Sequence, residues 1–90
     1  MQMAKVVGTV VSSQKDASLV GHKLLIVRIF REDLETLGEA RIVVDTVGAG
    51  VGETVLCVQG AASRNAVGDG EAALDAAIVG IVDHVDAGVP

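Results

Sequence analysis

The chain has 90 residues, a formal net charge of −5, half of its residues hydrophobic and a single aromatic, Phe30. That length holds one domain, expected to span 1–90 with a short tail from 86 to 90. No apolar run approaches the 18 residues of a membrane-spanning helix, and seven cations scattered from Lys5 to Arg64 on an acidic chain disfavour a nucleic-acid partner.

Five strand-like segments follow in order, each short, rich in β-branched residues and bounded by Gly, Ser or Asp. The first is Ala4–Ser12, the second Lys23–Phe30, the third Arg41–Val47, the fourth Thr54–Gln59 and the fifth Ala77–Val85. Between the first two lies a polar loop, 12–21. Arg31–Glu39 is an acidic tip carrying Glu32, Asp33, Glu35 and Glu39, with a helical turn ending at Gly38. Ala61–Ala66 reads as a short helix, and Glu71–Ala76 as a further helical turn. The expected fold is mainly β: a small five-stranded OB-like β-barrel with one or two short helices.

The second segment is apolar on both faces, Leu24, Ile26 and Phe30 on one and Leu25, Val27 and Ile29 on the other. A free-standing antiparallel barrel shows one wet face. With a mean hydropathy of +0.52, the surplus apolar surface calls for a second cover, most simply another copy of the chain.

The glycine-rich run Asp45–Glu53 joins two strand patterns directly. A nucleotide-binding loop opens a helix and, in its P-loop form, ends in Lys-Ser/Thr; this one ends in Glu53 and enters β-formers. An anion nest of backbone N–H groups is the alternative reading. His22 and His84 flank different strands, and of the possible ligands Asp83, His84 and Asp86 the first two point to opposite faces of the fifth strand, so no metal and no cofactor is expected. Ser12, Ser13, Ser18 and Ser63 lack an activating motif, and Asp33 and Glu35 read as a solvated pair. Cys57, the only cysteine, sits within an apolar strand as a small buried hydrophobe. Two rivals are an enzymatic or anion-binding barrel using the glycine run, and an OB-like nucleic-acid module, the latter weakened by the lone aromatic.

Several separated blocks, in order, resemble the EutN/CcmL family of bacterial microcompartment shell vertex proteins. They are Ala4–Lys15, Leu19–Val27, Val44–Leu56 and Leu74–Asp83. One departure is visible: where the family usually has Gly-Ser-x-Ala-Arg, this chain has Gly60-Ala61-Ala62-Ser63-Arg64. The resemblance implies a non-enzymatic structural protein. It forms a homopentamer at the vertices of a polyhedral carboxysome or metabolosome shell, with hexameric shell proteins as further partners and neither nucleic acid nor membrane among them. The opening segment Met1–Lys5 lacks the basic and apolar regions of a signal peptide, so a cytoplasmic setting is expected. Gly48, Ala49 and Gly50 are candidates for the lining of the central pore, with Ser13, Gln14 and Lys15 second. Arg64, Val7, Val11, Val79 and Ile81 are candidates for the subunit interface.

Overall fold

A computed structural model describes residues 1–13 and 15–86. Gln14 and the expected tail beyond Asp86 lie outside the described residues. Five strands, β1 (Gln2–Val10), β2 (Lys23–Phe30), β3 (Leu37–Asp45), β4 (Thr54–Gln59) and β5 (Ala76–Val82), close into a barrel in the order β1-β2-β3-β5-β4. One short helix, α1 (Ala61–Ala66), joins β4 to β5. The polar loop after β1 contains a 3-10 turn, Ala17–Leu19, whose entry is capped by the Asp16 carboxylate accepting from the Ser18 N–H.

The alternating pattern decides what is inside. Ala4 and Val6 of β1, Leu25, Val27 and Ile29 of β2, and Val43 of β3 meet Val55, Cys57 and Ile78 in one buried cluster. The register makes these cross-strand neighbours, Ala4 opposite Val55, Val6 opposite Val27 and Leu25 opposite Val43. Burial of such a set supplies most of the favourable free energy of a small barrel. The outward alternates of the same strands are also apolar: Ile26 pairs with Ile42, which is 61% exposed.

Burial within this core pushes the Cys57 thiol up to about 11 from its ordinary 9.0. A raised folded pKa means that the folded chain holds the proton more tightly than the unfolded one. The contribution is therefore complete below pH 9.0 and is lost as the pH rises through about 11. A thiol reagent at pH 8 is expected to leave native Cys57 untouched and to modify it fully after denaturation. Rapid labelling of the native chain would contradict its burial.

β3 begins at Leu37 and ends at Asp45, four residues upstream of the expected start. No helical turn forms in the acidic tip. Instead the Asp33 carboxylate accepts from the N–H groups of Glu35 and Thr36 and from the Thr36 hydroxyl, which holds its pKa down at about 2. Leu34 turns the corner at φ 59°, and Phe30 pairs with Leu37 across a bulge. The second expected helix, Glu71–Ala76, is also absent. That segment bonds sideways, its Ala73 N–H to the Ser18 hydroxyl and its Leu74 carbonyl to Arg64. β1 runs two residues earlier than expected, and β5 ends at Val82, so Asp83 and His84 lie beyond the strand rather than on its two faces.

Candidate functional site at the glycine loop

The loop between β3 and β4 is built around one carboxylate. Asp45 ends β3 with its side chain 2% exposed. One oxygen accepts from the N–H groups of Val47 and Gly48 at 3.0 and 3.2 Å, and the other from Ala49 at 2.9 Å. A carboxylate that folds back onto the next few N–H groups is the local chemistry of an Asx turn. Gly48 supplies the required positive φ of 81°.

Lys23, opposite Asp45 in the β2–β3 ladder, completes the clamp. Its ammonium lies 3.7 Å from Asp45 Oδ2 and donates to the Ala49 carbonyl at 2.5 Å. Glu53 closes the far side. Its Oε1 accepts from the Gly50 N–H at 2.6 Å, while its backbone and that of Gly52 pair with Val6 of β1 at 2.9 and 2.8 Å. The Thr46 hydroxyl donates to the Ile78 carbonyl at 2.7 Å, tying the loop to β5.

This geometry answers the anion-nest reading. The N–H groups of Val47, Gly48, Ala49, Gly50 and Gly52 all donate within the chain. Two carboxylates occupy the place an anion would take, and like charge repels it. The loop is a rigid plug at one end of the barrel, displaying Val47 and Val51 to solvent.

Of the three glycine-loop candidates, Gly48 is exposed and Gly50 half-buried. Ala49 is fully buried, its methyl group part of the barrel core. Its side chain faces the core because the loop is folded back on Asp45, whose Oδ2 accepts from the Ala49 N–H. Ser13 and Lys15 are exposed, Lys15 donating to the Ser12 carbonyl at 3.1 Å, and Gln14 lies outside the described residues. The register brings the two loops to one end of the barrel: Val10, where the first leaves β1, pairs with Leu24, next to the Lys23–Asp45 pair from which the second leaves.

Val7, Val11 and Ile81 are exposed and Val79 half-buried. Arg64 is half-buried and donates to the Leu74 carbonyl at 3.3 Å, with no carboxylate partner among the described residues. Ser63 is fully buried and donates to the Gly60 carbonyl at 2.5 Å. The hydroxyl displaced to this position is thus absorbed by the first turn of α1. Among the described residues no group of three or more His, Cys, Asp or Glu side chains could hold a metal ion, and no helix is long and apolar enough to cross a membrane.

Sequence reasoning picked out the glycines but not the two acids and the lysine that fix them. The signal was an Asp immediately before a Thr-Val-Gly turn, the spacing at which a carboxylate reaches its own following N–H groups.

A closed five-stranded barrel with one short helix places the chain in the class of small, mainly β barrel proteins. Within it the chain belongs to the EutN/CcmL family, whose profile, described as ethanolamine utilisation protein EutN/carboxysome, matches residues 1–83. The chain is 49% identical to the bacterial microcompartment shell vertex protein GrpN of Rhodospirillum rubrum, over 96% of this chain and 97% of that one. It is 45% identical to the carboxysome shell vertex protein CcmL of Synechocystis, over 96% of this chain and 86% of that one. The solved structure of the Rhodospirillum rubrum GrpN pentameric shell protein superposes with a TM-score of 0.85 at 48% identity, covering 96% of this chain and 98% of that one.

Proposed function

We propose that this chain is a non-enzymatic structural protein whose homopentamers occupy the vertices of a polyhedral bacterial microcompartment in the cytoplasm. The observation that carries the reading is the near end-to-end match, at 48% identity, to a pentameric shell protein. Its partners are copies of itself and the hexameric shell proteins that tile the flat faces. Neither nucleic acid nor membrane is among them, in keeping with the acidic charge and the single aromatic.

The end of the barrel carrying the Asp45 loop faces the five-fold axis. Gly48 and Gly50 line the central opening, with Ser13, Gln14 and Lys15 around its rim. A loop in which the N–H groups of Val47, Gly48, Ala49, Gly50 and Gly52 are satisfied within the chain suits a position where five copies crowd together. Val7, Val11, Val79 and Ile81 contribute apolar surface to the subunit contacts, and Arg64 the one cation. This supplies the cover that the two-faced apolar strands require.

Native mass spectrometry across a concentration series tests the assembly. A five-subunit species persisting on dilution is expected. A stable monomer at every concentration would overturn the reading.

A further inference from the structure

The strand glycines locate the subunit contact more closely than hydrophobicity does. Glycine inside a strand weakens it, and it is tolerated where backbone conformation or close approach requires it. Gly38 of β3 has an internal reason: a Cβ there would come 3.1 Å from the Ile29 carbonyl oxygen. Gly8 of β1 and Gly80 of β5 have none. Neither holds a positive φ. A Cβ at Gly8 would meet the Ile26 side chain at 3.4 Å, and one at Gly80 the Leu56 side chain at 3.5 Å, both ordinary contacts. Each sits beside a β-bulge, but the bulge type that demands glycine needs the left-handed conformation that these two lack. Nothing within the chain asks for a bare backbone at either place, so the requirement comes from outside the chain.

We propose that Gly8 and Gly80 mark the two different faces through which one subunit packs head-to-tail on the next. The first face is the outward row Gly8, Ile26 and Ile42 across β1, β2 and β3, successive cross-strand partners. The second is Leu56 and Gly80 across β4 and β5. In the closed order β1-β2-β3-β5-β4 the first face is centred on β2, which pairs with β1 and β3 and with neither strand of the β5–β4 pair that carries the second. A five-fold ring needs such a pair of unlike surfaces, because a heterologous contact closes a ring whereas a self-complementary one stops at a dimer. In each face a large aliphatic side chain lies beside a strip of bare backbone, which admits a neighbour's chain at close range. The occupant is a second copy, since a relative with 48% identity is a pentamer. The inference rests on the homopentamer reading.

Gly8→Val and Gly80→Val test it. Valine is a good strand former, so each variant is expected to keep the barrel's far-UV circular dichroism while losing the pentamer at concentrations where the parent is fully assembled, a shift of at least about ten-fold. Mixing the two leaves one intact face on each, so a 1:1 dimer that cannot close is expected at high concentration. Should either variant fail to fold alone, co-expression of the pair must yield that dimer. Gly8→Ala and Gly80→Ala give a second measure, with unchanged melting of the dilute chain and a weaker ring. A valine variant that remains pentameric with an unchanged dilution midpoint overturns the proposal, as does dimerisation of a single variant with itself or failure of the mixture to pair. A parent that is monomeric defeats the homopentamer reading instead.

Discussion

Asp45→Ala is expected to destabilise the chain by about 2–4 kcal/mol, the largest loss of any polar substitution, read as a fall in the urea midpoint. Three backbone N–H groups lose their acceptor at once, and Lys23 loses the charge beside it. Water can reach the exposed Gly48, but the Ala49 N–H belongs to a fully buried residue whose methyl group is part of the core. Asp45→Asn keeps one acceptor oxygen and should lose about half as much. A loss below about 0.5 kcal/mol for the alanine variant would mean that solvent replaces the carboxylate and that the loop is not held by it.

Gly60→Ala is expected to cost about 1–3 kcal/mol although there is ample room for the methyl group. Gly60 links β4 to α1 at φ 60°, ψ −137°, a conformation that side chains almost never adopt. Nothing lies within 4 Å of a Cβ built there, so the penalty is conformational and not steric. The geometry is locked from both sides. The Gly60 N–H donates to the Asp75 carbonyl at 2.9 Å, and the Gly60 carbonyl accepts from the Ser63 N–H and hydroxyl. A thermal midpoint unchanged from the parent would show that the link can be remade with another backbone conformation. Gly60 and Gly80 thus call for opposite experiments: strain inside the chain at the first, obstruction outside it at the second.

The barrel was legible where local chemistry acts alone. β2 and β4 match their expected bounds because β-branched runs such as Ile26-Val27 and Thr54-Val55 end abruptly at turn residues. The first half of β3, Leu37-Gly38-Glu39-Ala40, contains no β-branched residue and reads as loop. It is made a strand by its partner, since the Arg28 guanidinium donates to the Gly38 and Leu37 carbonyls at 3.0 and 3.1 Å. α1 was visible in its composition, but Glu71–Ala76, equally rich in alanine, is pulled out of helix by bonds to Ser18 and Arg64, residues distant in sequence. The glycines of the candidate site were plain, whereas the inward turn of Ala49 depends on the Asp45 clamp.

β5 is the last of the five described strands in chain order, and it sits between β3 and β4. It meets β3 in parallel at only two residue pairs, Val44 with Ala77 and Asp45 with Ile78, and β4 along most of its length. While the ribosome is still translating the chain, β3 and β4 therefore present two unpaired edges, the kind of surface on which nascent chains aggregate. The barrel closes in one late step, when Ala76–Val82 emerges and slots between them. The short parallel seam is the place where that step is completed and where the finished barrel first reopens.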